Sequence, residues 1–148
     1  MIRTAQESDA EALVQLINRA FLVERFFLDG DRIDLAGVQR FLKTGIFLME
    51  EEIGCVYAEV RGSRGYFGLL SVDPSRQGSG IGKRLIAAAE DHCREAGCTF
   101  MDLQIIDLRE ELPAFYRKLG YRETGTAPFP PEVVTKLPCQ FVKMSKPL

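Results

Sequence analysis

Two extended apolar runs on either side of a helix that opens in glycines constrain this chain most. Tyr66 to Val72 is apolar on both faces, as a strand inside a sheet would be. Ile81, Leu85, Ile86, Ala89, Cys93 and Ala96 then mark one face of a helix closed by Gly97. Thr99 to Ile106 reads as another strand. A strand–helix–strand unit of this kind places its two strands parallel. Between strand and helix lies Gln77-Gly78-Ser79-Gly80-Ile81-Gly82, with three glycines at alternate positions. Glycine weakens helices and strands alike, so three together require a reason.

The remaining segments build a sheet around that unit. Ile2 to Ala5 reads as a short first strand, and Asp9 as the N-cap of a helix with Ala12, Leu13, Leu16, Ile17 and Ala20 on one face. A second helix is expected over Leu35 to Lys43, ending at Gly45. Gly45 to Met49 and Ile53 to Arg61 read as strands around a solvated tip, Glu50-Glu51-Glu52. Cys55, Tyr57 and Glu59 share one face of the second, and Gly62 to Gly65 forms the next hairpin turn. Downstream come a helix over Glu110 to Leu119, a short strand at Tyr121 to Thr124, a proline-rich loop from Gly125 to Pro138 and a last strand from Cys139 to Ser145. This order predicts an α/β (α+β) fold, a mixed central sheet of about seven strands with helices on both faces. A length of 148 residues suits a single domain, 1–148.

Composition narrows the function classes. A net charge of −2 and a pI near 5.5, with mixed signs along the chain, argue against nucleic acid as a partner. Cys55, Cys93, Cys98 and Cys139 form no CxxC pair and His92 is the only histidine, so no metal site is expected. Without a signal-peptide pattern at Met1-Ile2-Arg3, free thiols in a reducing cytoplasm are the expectation. No apolar stretch nears the roughly 18 residues of a membrane span.

The start of a helix binds anions through unpaired amides and a positive dipole end, and glycines let those amides converge. The question is which phosphate. A Walker A loop needs one more residue between Gly78 and Gly82, and a hydroxyl where Arg84 stands. A dinucleotide fingerprint needs its third glycine at Lys83, although Asp102 lies where a ribose-binding acid would.

Gln77 to Gly82 fits Q/R-x-x-G-x-G/A without edits, and so resembles the pyrophosphate loop of the GNAT superfamily of N-acetyltransferases. Phe115-Tyr116-Arg117-Lys118-Leu119-Gly120-Tyr121 resembles that family's second signature, and Ile2 to Ala5 with Asp9 its usual opening. The resemblance implies transfer of an acetyl group from acetyl-CoA to a primary amine of a small-molecule or amino-acid-like acceptor, directly through a tetrahedral intermediate. It assigns the pyrophosphate to the backbone of Gln77, Gly78, Ser79, Gly80, Ile81, Gly82 and Lys83. The thioester arm would lie along Leu70 and Val72, on a strand splayed from its parallel neighbour, with the Val72 amide facing the oxyanion. Tyr116 is the implied proton donor to the thiolate. Where many members carry an asparagine that touches the cofactor, this chain has Arg109.

A protonated amine requires a base, and Glu59, on a strand beside the central one, is the best carboxylate; water is the other route. Asp73 reads as a turn cap and His92 as exposed. Phe21, Phe26, Phe27 and Phe129 would line an acceptor pocket, or else belong to the core or to a homodimer seam. Arg25, Arg32 and Lys136 are candidates for holding an acceptor carboxylate. Two other readings stay open: a non-catalytic CoA-binding regulatory module, and a nucleotide-binding protein using the same loop.

Overall fold

Strand β4 (Arg64–Val72) buries Gly65, Phe67, Leu69 and Ser71 and half-covers the residues between them, as an interior strand with helices on both faces must. The computed structural model describes residues 1–148. The other strands are β1 (Ile2–Thr4), β2 (Ile46–Glu50), β3 (Gly54–Arg61), β5 (Phe100–Ile106), β6 (Arg122–Pro128) and β7 (Gln140–Pro147). They form one seven-stranded sheet in the order β1-β2-β3-β4-β5-β7-β6, with β4 in the middle. Only β4 and β5 run parallel; every other neighbour is antiparallel. The helices are α1 (Ala10–Ala20), α2 (Leu35–Thr44), α3 (Ile81–Glu95) and α4 (Leu112–Lys118). The predicted order of elements and the α/β class hold, and no helix is long and apolar enough to cross a membrane.

Each face of the sheet has its own core. Leu13, Leu16 and Ile17 of α1 and Val38 of α2 pack on Phe47, Met49, Cys55, Tyr57 and Leu69. On the other face Ile81, Leu85, Ile86, Ala89 and Cys93 of α3, with Tyr116 of α4, pack on Val56, Ala58, Phe67, Met101 and Leu103. Phe67 and Leu69 stand two apart in one strand yet belong to opposite cores, which breaks the period-2 rule. The register explains it: Leu69 and Leu70 of β4 stand opposite Val56 alone, between the pairs Tyr57–Gly68 and Cys55–Ser71. This bulge puts Leu69 at φ +53, a left-handed conformation that costs a branched residue about 1 kcal/mol.

Several boundaries differ from the sequence reading. Glu50 is not part of a solvated tip: it ends β2 opposite Gly54, is buried, and takes both oxygens to Arg84 of α3 at 3.0 and 2.7 Å. Its partner lies 34 residues away, out of reach of local charge patterning. Asp9 does not cap α1 with its side chain. It accepts from the Gln6 amide and from Arg3, closing the turn before the helix. Strand β6 runs to Pro128, past the predicted end at Thr124, because a bulge near Gly125 carries its pairing with β7 onward. Cys55, Cys93 and Cys98 are buried free thiols and Cys139 is half-buried.

Candidate functional site

Strands β4 and β5 pair only through Arg64–Phe100, Gly65–Met101 and Tyr66–Asp102, then part. The bulge at Leu69–Leu70 bends β4 just beyond that point. The opening holds a cavity of about 1150 Å³ that runs from the glycine loop past Tyr116 to the segment after α1. Leu70 and Val72 line it. The Asp73 amide donates to the Ile53 carbonyl at 2.7 Å, so the next antiparallel pair, Val72–Gly54, is non-hydrogen-bonded. The N–H and C=O of Val72 therefore face away from β3, toward the open edge.

The glycine loop connects β4 to α3 at one end of this cavity. Asp73 caps a tight turn, accepting from the Ser75 amide at 3.0 Å, and Gly78 and Gly80 take φ of +85 and +83. No amide from Gln77 through Lys83 donates to any group of the protein. At Gly82 an added Cβ would meet only ordinary contacts, Val72 at 3.8 Å and Leu70 at 4.0 Å, so internal packing does not demand a glycine there. Such a cradle fits a diphosphate: it offers amides, a helix start and room for close approach. Arg76 and Lys83 line it without an ion-pair partner, whereas Glu50 neutralises Arg84.

Tyr116 of α4 reaches the cavity with a hydroxyl that no protein group hydrogen-bonds. Burial pushes its phenol up to about 12, against the pull of the Arg109 charge. Arg109, on the β5–α4 connection, gives its guanidinium to Glu24 at 3.0 Å and Glu111 at 3.1 Å. An arginine so engaged is not a free phosphate ligand. Glu24 ends the turn after α1, and burial raises its carboxyl despite Arg109 and Arg32.

Glu59 is not brought to the cavity. Its carboxylate accepts from the Tyr57 hydroxyl and from Arg61, and of these three only Tyr57 lines the opening. Arg61 and Tyr57 hold the Glu59 carboxyl below its ordinary value although burial opposes them. Burial and the Glu59 hydrogen bond push the Tyr57 phenol up to about 12. Among the aromatic candidates, Phe21 and Phe129 line the cavity. Phe27 is wholly buried and Phe26 is half-exposed, and neither lines it. Arg32 reaches the cavity, while Arg25 pairs with Asp31 and Lys136 with Asp29. His92 is half-buried on α3 and away from the opening. Sequence reasoning missed Glu24 and Tyr66. Glu24 lies in an aperiodic run, and nothing local marks Tyr66 as the residue where the strands part.

Known proteins carry the same architecture. The acetyltransferase (GNAT) domain family matches residues 43–123, a span covering β2 to the start of β6 and so the whole glycine loop and Tyr116. The chain is 30% identical over 141 residues to the IAA acetyltransferase of Azospirillum brasilense, covering 88% of this chain and 89% of that protein. It is 39% identical over 71 residues to the blasticidin-S acetyltransferase of Streptomyces morookaense; this match spans about half of that relative, 51%, and 47% of this chain. Among solved structures, yncA from Salmonella typhimurium with its cofactor acetyl-CoA superposes at TM-score 0.76, with 20% identity and coverage of 100% and 93%. The ribosomal-protein-alanine N-acetyltransferase of Brucella melitensis gives 0.77 at 22% identity, with coverage of 100% and 99%. The chain belongs to the GNAT family of acetyltransferases.

Proposed function

We propose that the protein transfers an acetyl group from acetyl-CoA to a primary amine of a small-molecule or amino-acid-like acceptor. Residues 1–148 act in this reading as one catalytic domain, since strands from both ends of the chain join the same sheet. The observation that carries the reading is the run of unpaired amides from Gln77 to Lys83 at the mouth of the split sheet. They bind the CoA pyrophosphate, with Arg76 and Lys83 adding charge. The pantetheine arm lies along the free edge of β4 at Leu70 and Val72, and the Val72 amide donates to the oxygen that becomes negative.

Tyr116 serves the departing sulfur. A phenol at about 12 is protonated at neutral pH and so donates a hydrogen bond. Full transfer to a thiolate of ordinary pKa near 8.5 is uphill, so it accompanies loss of the second nitrogen proton. Glu59 touches the cavity only through Tyr57, so a base role for it passes through that hydroxyl.

The test titrates acetyl-CoA, CoA, ATP and NAD by calorimetry, then follows thiol release with a panel of primary amines. Acetyl-CoA and CoA are expected to bind and at least one amine to release thiol. Binding of ATP alone refutes the reading. CoA binding without thiol release from any amine reduces the protein to a regulatory CoA-binding module.

A further inference from the structure

Four carboxylates line the cavity: Glu24, Asp29, Asp31 and Glu111. Three are exposed, and only Glu24 is withdrawn from solvent, with 11% of its side chain accessible. Its partner Arg109 lies 85 residues away on another wall and is only 17% accessible, so both charges are largely out of water. A buried ion pair loses much of its attraction to desolvation, and apolar residues there are often as stable. The pair is therefore poorly explained as scaffolding. Phe21, Phe41, Tyr57 and Phe129 also line the cavity, giving it aromatic walls.

Resting on the acetyltransferase reading above, we propose that Glu24 receives the acceptor's ammonium group and takes its proton, and that the acceptor is a primary amine on an apolar stem. Glu24 suits the task because its carboxyl is raised by burial, making it a stronger base than Glu59, which is lowered. The charged groups that act on it are Arg109 and Arg32, which favour its ionised form, and Glu111, which opposes it. Asp29, Asp31, Tyr57, Tyr66 and Tyr116 share the cavity. The ammonium gives one proton to a Glu24 carboxylate oxygen. The freed lone pair forms the C–N bond at the thioester carbonyl carbon. The C–S bond breaks, sulfur leaves with its electron pair and takes the Tyr116 proton, and the nitrogen's second proton returns to Tyr116 through water.

The experiment compares wild type with Glu24→Gln, which keeps a carbonyl for Arg109, using 2-phenylethylamine from about pH 6 to about pH 10. At neutral pH kcat/KM is expected to fall about 100-fold or more, and to recover toward wild type as the amine deprotonates in solution. Binding of CoA should not change, while the melting temperature should fall, since Arg109 then keeps only the exposed Glu111 as a charged partner. A loss equal at every pH, an unaltered rate, or the pH-dependent loss in Glu59→Gln instead would overturn the assignment. If wild type binds CoA but turns over no amine, calorimetry with 2-phenylethylamine on the CoA complex still decides. Tenfold weaker binding in Glu24→Gln supports the ammonium site, whereas equal or absent binding in both proteins rejects it, separately from the failed acetyltransferase reading.

Discussion

Tyr116 combines burial with an unused hydrogen-bonding group. Its ring packs edge-on against Phe115 and Tyr121 and is 5% exposed, while its hydroxyl opens into the cavity without a protein partner. Removing that hydroxyl therefore leaves no protein group unsatisfied, and Tyr116→Phe should fold and melt as wild type does. Loss of the hydrogen bond to the leaving sulfur should lower kcat about 10- to 100-fold while the Kd for acetyl-CoA holds. Steady-state thiol release with calorimetry alongside checks both halves, and an unchanged kcat removes Tyr116 from the chemistry.

At the scale of the element, the unit β4–glycine loop–α3 trades regularity for an open strand edge and unpaired amides. The bulge at Leu69–Leu70 bends the strand, and Gly78 and Gly80 use left-handed conformations that other residues rarely adopt. Gly82 is different, since it lies within the first turn of α3 and its missing Cβ is not needed for packing. Gly82→Ala should hold or slightly raise the melting temperature, because alanine is the better helix former. It should also weaken acetyl-CoA binding at least about tenfold, or about 1.4 kcal/mol, because the methyl group occupies the phosphate's approach. Unchanged affinity by calorimetry would mean that the loop does not bind there.

In the whole molecule, the two halves of the sheet meet directly across only three residue pairs, helped by α3 on one face. At that junction Arg64 of β4 donates twice to Asp102 of β5, at 2.7 Å each, and Ser145 of β7 donates to the same carboxylate. The hydrogen bonds from Arg64 and, more weakly, from Ser145 hold the Asp102 carboxyl below its ordinary 3.8, although burial opposes them. A depressed carboxyl adds stability above its unfolded value and loses it as pH falls through the folded one. Asp102→Asn should thus cost about 1 kcal/mol or less at neutral pH, since both side chains are partly exposed. The difference from wild type should vanish on acidification below about pH 4, where the wild-type group titrates. Thermal melts across that range check it, and a gap that persists in acid would assign the effect to packing.

The sequence by itself determined the class of fold and the place of the glycine loop whose amides stay unpaired. Both are written locally: strand and helix periodicities set the order of elements, and a glycine loop in one register specifies where backbone amides stay unpaired. Tyr116 belonged to the same kind of signal, a helix end with a recognisable run of residues. Only the tertiary structure decided which charges count. Glu59 looked available on its strand, yet Tyr57 and Arg61 engage its carboxylate. Glu50 looked solvated, yet α3 covers it and Arg84 pairs with it. Glu24 carried no signal at all until the fold set Arg109 against it across 85 residues. Burial and ion pairing depend on groups distant in the chain, so acid–base roles emerge with packing, whereas backbone geometry is already encoded in neighbouring residues.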